Sequence, residues 1–354
     1  MIILSLFYIL ASVNAFTLSM NNVNNPSWET LRFSIKENAR NWFINRAIQK
    51  GIPWNELYQD SVNDHEQMEY FKEKNENKYL EYPTYFLRPF HGYDDGNMNW
   101  KAAHEAEAAT LSFGAGYWDN IDPYSAQEWL RGNISENIKS YIKDSQIVQP
   151  EIILDVGCSI GVSTEYLYNQ FENIKGINGI DLSPYFIGVA KYRANKKKMN
   201  IDYIHGIAEK TPYLENQFDL IACNFLFHEL PEKAANEILD ELYRILSYDG
   251  ILAIIDMDPS HLDKQLKSNP FRKWAFESTE PHIYNYYLRN METMMTEHGL
   301  KSVEKKRNDP SNSVWLGTKR HDYSPLKLGM GNNMKVVKKN NEDTSFNIKN
   351  LATI

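Results

Sequence analysis

Residues 151–161 read EIILDVGCSIG and carry the clearest structural signal in the chain. The apolar run follows Pro150 and predicts a short, buried strand of a parallel sheet. Gly157 and Gly161 then predict a tight turn, and the apolar spacing of residues 162–171 predicts a helix. A strand, a glycine-containing turn and a helix form a ligand-binding unit, because glycine lets a ligand approach the backbone at the helix N-terminus.

A second acidic residue follows at a position suited to a nucleoside. Residues 176–180 read GINGI and predict another short strand, which ends at Asp181. A carboxylate at the end of the second strand is placed to accept hydrogen bonds from both hydroxyl groups of a ribose. The two strand ends together therefore predict a nucleoside-containing ligand.

Three kinds of site share part of this turn pattern. A dinucleotide site requires GxGxxG, whereas this turn is Gly157-x-Ser159-x-Gly161, and Asp155 before it would repel a pyrophosphate. GCSIG also matches the GxSxG nucleophile elbow of serine hydrolases, but the sequence before Pro150 lacks the apolar strands that an elbow needs. In a site for S-adenosylmethionine an acidic residue faces the cationic methionine part, so Asp155 favours this third interpretation.

Further motifs extend the third interpretation into a family resemblance. They are DVGCSIG at 155–161, DLS at 181–183 and FDLIACNFLFHELP at 218–231, and together they resemble class I S-adenosylmethionine-dependent methyltransferases. LRPFHGYDDGN at 87–97 and STEP at 278–281 are similar to uncharacterised plant, algal and cyanobacterial members of the small-molecule branch that also contains quinone methyltransferases. The resemblance covers residues 82–320 and implies a Rossmann-like α/β fold, with a mostly parallel seven-stranded sheet, a reversed last strand and an N-terminal helical cap.

The resemblance also implies S-adenosyl-L-methionine as the cofactor and a set of residues that bind it. One residue departs from the family pattern, because Ile207 stands where an acidic residue usually faces the adenine amino group. The implied residues surround the methionine part, the ribose, the adenine and the sulfonium, and they are Asp155, Gly157, Ser159, Gly161, Asp181, Leu182, Ala208, Glu209 and Asn224.

The reacting side of the site is expected after the fourth strand. The apolar run that ends at Asn224 leads into His228 and Glu229, and ligands of open α/β sheets bind beyond the carboxyl ends of strands. His228 is the first candidate for a catalytic base and Glu229 the second, while a purely structural role for His228 stays open. The carboxylates lack the spacing of a magnesium site, so no metal is implied.

Aromatic residues outside the nucleotide-binding segment predict the methyl-acceptor pocket. They occur in the extension before the first strand and in the segment after the fifth strand, and they are Tyr85, Tyr93, Trp100 and Tyr284.

The last strands of the sheet follow the fourth strand in the sequence. The fifth strand is predicted at residues 251–255 after a turn at 248–250. A closing antiparallel pair is predicted at 299–306 and 313–318.

Composition excludes several classes of protein. The chain has 354 residues with a net charge of −8, so binding to nucleic acid through a broad basic surface is not expected. Its two cysteines exclude a disulfide-stapled scaffold or a cysteine-rich zinc module.

The two ends differ in composition from the rest of the chain. Residues 1–15 read as a signal peptide, and the acid-poor segment that follows resembles a two-part plastid presequence, with an ordinary secretory signal as the alternative. We expect a presequence remainder and helical preface at 16–78, a helical cap at 79–145, the methyltransferase core at 146–320 and a flexible tail at 321–354. Beyond the signal segment no stretch is apolar enough to span a bilayer.

The leading hypothesis is methyl transfer to a small, ring-containing or lipophilic acceptor in the plastid. One alternative is a non-catalytic protein that binds S-adenosylmethionine as a partner or regulator. Another is a serine hydrolase that uses Ser159.

Overall fold

The computed structural model describes residues 40–89, 93–118, 120–261 and 282–320. The proposed signal peptide, the tail after Arg320 and the STEP motif lie outside the described residues.

Seven strands form one sheet in the order β3-β2-β1-β4-β5-β7-β6. Strands β1 to β5 are parallel neighbours, and β7 is antiparallel to both β5 and β6. The prediction of a mostly parallel sheet with a reversed last strand is confirmed. The bounds are β1 Ile152–Val156, β2 Gly176–Asp181, β3 Asp202–His205, β4 Phe218–Asn224, β5 Leu246–Met257, β6 Lys301–Arg307 and β7 Asn312–Thr318.

Helices cover both faces of the sheet, since both faces of a parallel sheet are apolar. Residues 40–49 are helical as well. The other helices are α1 Trp54–Asn63, α2 His65–Asn75, α3 Trp100–Ala115, α4 Pro123–Asp144, α5 Val162–Gln170, α6 Pro184–Lys197, α7 Glu232–Ile245, α8 Ile283–Leu288 and α9 Met291–Glu297. Apolar residues of α4 and α5 pack on one face of the central strands, and those of α7 and α9 pack on the other.

Strand β5 begins earlier than the sequence pattern predicts. The turn expected at Tyr248-Asp249-Gly250 lies inside the strand, because β5 already pairs with β4 at Leu246. The register then shifts, so that Phe218 pairs with Leu246 and Leu220 with Ile251. Asp249 has a φ of 61°, which marks the local irregularity.

A segment before the core borders the carboxyl ends of β3 and β2, and we call its described residues, 77–89 and 93–97, the N-terminal strap. The Asn77 amide donates to His205 Nδ1 at 2.9 Å, which ties the strap to the end of β3. Farther along, the Ser183 hydroxyl donates to the Asn97 carbonyl at 2.6 Å beside the end of β2. The strap therefore borders the edge of the sheet at which the ligand is expected.

None of the helices in the described part of the chain has the length and apolarity needed to cross a membrane.

Candidate active site

The turn after β1 is anchored to the end of β2 by its own backbone. The amides of Gly157 and Cys158 donate to the Ile180 carbonyl at 2.9 and 3.1 Å. Gly161 has a φ of 84° and precedes the first residue of α5. A Cβ at Gly161 would collide with the hydroxyl group of Tyr203, so both the backbone conformation and the available space require glycine here.

Asp155 lies fully buried at the end of β1, beside this turn. Its Oδ2 accepts hydrogen bonds from the Ser163 and Thr164 hydroxyls at 2.6 and 2.7 Å. Its Oδ1 accepts from Asn224 Nδ2 at 3.1 Å, so the ends of β1 and β4 are joined by their side chains. Burial raises the pKa of Asp155 above its usual value, and these hydrogen bonds oppose the shift. The structure thus brings two of the predicted cofactor residues, Asp155 and Asn224, into contact.

Asp181 occupies the corresponding position at the end of β2. Its Oδ2 accepts from the Ser159 amide and its Oδ1 from the Ser183 amide, each at 2.8 Å. Burial raises the pKa of Asp181 to about 6, against the effect of these backbone hydrogen bonds. Each carboxylate oxygen still has acceptor capacity, which suits the two hydroxyl groups of a ribose.

Glu209 reaches the same edge after β3. Its side chain accepts a hydrogen bond of 2.6 Å from the Tyr85 hydroxyl, which belongs to the N-terminal strap. Burial raises the pKa of Glu209 above its usual value. The Leu182 carbonyl lies 3.1 Å from His205 Nε2, and Ala208 packs against the core on the same side of the sheet as α7. These residues surround the region expected to hold the adenine.

Arg131 was not among the predicted site residues, yet it is the most unusual charge near Asp155. It lies on α4 and is 8% exposed, and its guanidinium carbon is 5.8 Å from the centre of the Phe225 ring. Among the residues described, its Nε and Nη1 atoms have no hydrogen-bond partner. Burial lowers the pKa of Arg131, and the nearby Asp155 carboxylate opposes that shift. A buried, partly unpaired guanidinium suits an anionic group of a ligand, such as a carboxylate.

In the sequence, Arg131 stands beside an apolar stripe of the helix. It follows Leu130 within the buried face of α4, where Ile134 and Ile138 continue the apolar stripe. A charged residue beside an apolar stripe more often lies at the edge of the buried face, with its charged end in solvent. Helical spacing alone therefore does not distinguish Arg131 from a surface arginine.

His228 lies in a 3₁₀ turn, Phe227–Glu229, directly after β4. Its Nδ1 is 2.9 Å from Asp256 Oδ1, and its own amide donates to Asp256 Oδ2 at 3.0 Å. Glu229 Oε1 is 3.9 Å from His228 Nε2, so both predicted catalytic residues lie in one turn. Asp256, at the end of β5, was not predicted as a site residue.

The four predicted acceptor residues do not form one pocket wall. Tyr85 contacts Glu209, as described above, and its ring meets His282 edge-on at 6.3 Å. Tyr93 donates to Glu105 of α3, and Trp100 packs on His104 and Tyr185 within the helical layer beside α6. Tyr284 is 61% exposed. The aromatic residues of the extension thus divide between the ligand edge and the packing of helices.

The hydrolase alternative requires a base beside Ser159. Ser159 has a φ of 50°, a left-handed backbone like that of a nucleophile elbow. In the described part of the chain no hydrogen bond joins Ser159 to either of the two buried histidines near this edge: the Ser159 amide donates to Asp181, and His205 is held by the N-terminal strap. Within the described residues, neither histidine is therefore in the contact with Ser159 that activation of a serine nucleophile needs.

Comparisons with known proteins find methyltransferases that resemble part of this chain. Residues 153–250 match a family described as a methyltransferase domain. An uncharacterized methyltransferase of Synechocystis sp. is 30% identical over 105 residues, which cover 30% of this chain and 46% of that protein. A ubiquinone biosynthesis O-methyltransferase of Xylella fastidiosa is 29% identical over 163 residues, which cover 46% of this chain and 62% of that protein.

Among solved structures, a putative S-adenosyl-L-methionine-dependent methyltransferase of Methanococcus maripaludis overlaps 63% of this chain and 94% of its own length. The TM-score is 0.46 and the identity is 18%. The matches to the two curated relatives span about half of each relative's length. Residues 153–250 of this chain thus match the methyltransferase domain and lie within a seven-stranded Rossmann-like sheet.

Proposed function

We propose that this chain transfers the methyl group of S-adenosylmethionine to a small acceptor that is ring-containing or lipophilic. The observation that carries the proposal is the buried, partly unpaired Arg131 guanidinium beside Asp155, at the end of β1. The methyltransferase-domain match and the ubiquinone biosynthesis O-methyltransferase among the relatives support the same reaction and a ring acceptor.

The charges at this edge fit the parts of the cofactor. Asp181 would bind the ribose hydroxyls, Asp155 the cationic methionine part, and Arg131 its carboxylate. Ligands of open α/β sheets bind where the strand order reverses, which here is between β1 and β4. The unpaired guanidinium atoms are the specific sign of fit, because a buried charge without partners is costly unless a ligand completes it.

In S-adenosylmethionine the methyl group is bonded to a positively charged sulfur, and this sulfur is a good leaving group. The protein therefore contributes mainly alignment of the acceptor and exclusion of water. His228 lies four residues beyond Asn224, after the end of β4, and in this proposal its side chain faces the acceptor. Glu229, in the same turn, is the second candidate for holding the acceptor or its proton.

Calorimetric titration of the full chain with S-adenosylmethionine and S-adenosylhomocysteine tests the proposal. We expect micromolar binding of both, weakened about tenfold to hundredfold by Asp181→Ala, because hydrogen bonds to a charged acceptor are lost. Asp202→Ala removes an exposed carboxylate of the neighbouring strand and should leave binding unchanged. A folded wild-type chain that binds neither compound would refute the proposal.

The non-catalytic alternative is separated by a second measurement. Labelled methyl transfer to ring acceptors, followed on the chain that binds S-adenosylmethionine, distinguishes an enzyme from a binding protein. Tight binding, with no turnover on any extract fraction or pure ring compound, would favour the regulatory role.

We also propose that residues 1–15 begin a two-part presequence that directs the chain to a plastid. The proposal rests on the apolar run at residues 2–13 and the acid-poor segment after it. Residues 1–39 fused to a fluorescent protein should accumulate in plastids of an alga with complex plastids. Secretion of the fusion would instead support the ordinary secretory signal.

A further inference from the structure

The His228 imidazole is fixed from several sides. Asp256 of β5 contacts its Nδ1, and the Tyr286 ring of α8 meets it edge-on at 6.3 Å. Arg289, after α8, donates to the carbonyls of Phe227 and Leu230 at 2.9 and 2.8 Å, one on each side of the histidine turn. A side chain held in this way cannot choose its hydrogen-bond partners freely.

The contact with Asp256 determines which nitrogen carries the proton. Asp256 is fully buried, and its carboxylate also accepts the amides of His228 and Met257 at 3.0 and 2.7 Å. An ionised carboxylate only accepts hydrogen bonds, so His228 Nδ1 must donate to it. In the neutral imidazole the other nitrogen, Nε2, then has a free lone pair and is available as a base.

We propose that Asp256 is a positioning residue, which holds His228 with its proton on Nδ1 so that Nε2 removes the proton of a ring hydroxyl group on the acceptor. The inference rests on the proposed methyl transfer and names the acceptor group within it. In the step, the acceptor O–H bond breaks and its proton moves to Nε2. The oxygen forms a bond to the methyl carbon while the carbon–sulfur bond breaks, and that electron pair stays on sulfur, which becomes a neutral thioether. The proton on His228 Nε2 later passes to solvent.

The presence of a positioned base favours a hydroxyl acceptor over an amine. A neutral amine attacks with its own lone pair and needs no base before the transfer, whereas a ring hydroxyl with a pKa near 10 reacts far better as it loses its proton. Burial lowers the pKa of His228, but the Asp256 and Glu229 carboxylates outweigh burial, so its pKa is raised above the usual value. A more basic imidazole is better matched to a weakly acidic hydroxyl. Of the other groups that face it, Tyr286 is neutral and Arg289 is cationic.

Nitrogen NMR of the histidine rings in the full chain tests the positioning directly, without an acceptor. The wild-type chain should show His228 with its proton on Nδ1 and a pKa above 6.5. In Asp256→Asn the protonation equilibrium of His228 should shift about tenfold or more toward the neutral ring, because the neighbouring charge is lost. Asp258→Asn removes the carboxylate two residues farther along, which contacts Lys305 and Ser313 instead, and should leave His228 unchanged.

Transfer from methyl-labelled S-adenosylmethionine tests the acceptor group on matched pairs, 1,4-hydroquinone with 1,4-phenylenediamine and catechol with 1,2-phenylenediamine. We expect label in the hydroxyl compounds, a rate that rises with pH through the His228 pKa, and a kcat about 10²–10⁴-fold lower in Asp256→Asn at unchanged S-adenosylmethionine affinity. His228→Gln should abolish the pH step.

Label only in the diamines, or an Asp256→Asn variant with wild-type kcat and pH profile, would overturn the proposal. A His228 ring with its proton on Nε2 would overturn it as well, and that observation needs only the wild-type chain, even if Asp256→Asn does not fold. If no compound accepts label, the ring titration alone decides. Calorimetry separates the two levels of failure, because a chain that does not bind S-adenosylmethionine refutes the proposed function, whatever the state of His228.

Discussion

Asp181 places a titratable carboxylate at the point where the ribose is expected to bind. Burial raises its pKa to about 6, so the ligand-free chain takes up a proton there as the pH falls through that value. Ribose hydroxyls donate to the ionised form, and the protonated form loses acceptor capacity. We therefore expect the association constant for S-adenosylhomocysteine to be constant above pH 7 and to fall by up to about tenfold per unit below pH 6.

Calorimetry at several pH values checks this expectation. S-adenosylhomocysteine is the suitable ligand, since it lacks the sulfonium charge. In Asp181→Asn the step near pH 6 should disappear. A step of equal size in that variant would assign the proton to another group, such as Glu209.

Arg131 gives a prediction that separates the two ends of the cofactor. The partly unpaired guanidinium would bind the carboxylate of the methionine part, so Arg131→Met should weaken S-adenosylmethionine binding about tenfold to hundredfold. Methylthioadenosine has the same adenosine but no amino-acid part, and its affinity should change little. Calorimetry of both ligands on both proteins measures the difference. An equal loss for both would mean that Arg131 supports the fold and does not contact the carboxylate.

The residues of the site differ in how far their sequence context predicts a role in the site. Asp155 and Asp181 were predictable, because each follows an apolar run near the end of a short strand, and parallel strands end at one edge. Arg131 was not, since it lies on a helix face. Asp256 also follows an apolar run, at residues 251–255, but nothing in that run shows its contact with His228. Their positions depend on contacts with residues far away in the sequence, which local patterns do not contain.

At the scale of elements, the turn between β1 and α5 depends on one glycine. Gly161 has a left-handed backbone, and the Tyr203 hydroxyl fills the space where a Cβ would lie. We expect Gly161→Ala to lower the free energy of unfolding by about 2–4 kcal/mol, through backbone strain and displacement of Tyr203. Urea unfolding measures the change.

Gly132 provides a matched control within α4. A Cβ there meets nothing within 4 Å, and its backbone has no positive φ. Gly132→Ala should therefore stabilise the chain by about 0.5–1 kcal/mol, as expected for alanine in a helix interior. Equal effects of the two substitutions would contradict the packing argument at Gly161.

The N-terminal strap should respond to pH through His205. The Asn77 amide donates to Nδ1, which must therefore be unprotonated, and burial lowers the pKa of His205 below 6.5. A lowered pKa means that the neutral ring stabilises the fold; this contribution is complete above pH 6.5 and is lost as the pH falls through the folded pKa. We expect the hydrogen-exchange protection of the Asn77 amide to fall in that range, after correction for intrinsic rates. The Glu76 amide, bonded to the Lys72 carbonyl at 2.8 Å, should keep its protection.

Element boundaries were predictable where an apolar run ended at a polar residue. Strand β2, predicted at residues 176–180 with its end at Asp181, spans Gly176–Asp181, and β7 begins one residue before the predicted 313–318. Strand β5 was mispredicted because Tyr248-Asp249-Gly250 has the composition of a turn, and only pairing with β4 draws Leu246 into the strand. Tertiary pairing overrode the local signal there.

At the scale of the whole molecule, the proposed ligand site and the contacts that hold the end of the last strand lie at opposite ends of the strands. The proposed site lies at the carboxyl edge of the parallel strands, whereas β7, which runs antiparallel, ends at the opposite edge with Thr318 paired to Ile251. Lys319 follows directly and is 5% exposed. Its ammonium group donates to the carbonyls of Tyr243 and Leu246 at 2.8 and 2.9 Å, and to Asn216 Oδ1 at 2.8 Å. It thus joins the last strand to the end of α7 and the start of β5.

Lys319→Met should therefore reduce stability without affecting the ligand. The variant leaves buried carbonyls at the end of α7 without their donor, so we expect the free energy of unfolding to fall by about 2–4 kcal/mol. The affinity for S-adenosylhomocysteine should stay within twofold of wild type, because the lost contacts lie at the far edge of the sheet. Urea unfolding and calorimetry measure the two quantities. Lys233→Met, which removes an ammonium group exposed on α7, should change stability by less than about 0.5 kcal/mol. A matching loss of affinity in Lys319→Met would show that the two edges are coupled, and that the site depends on how the sheet is closed.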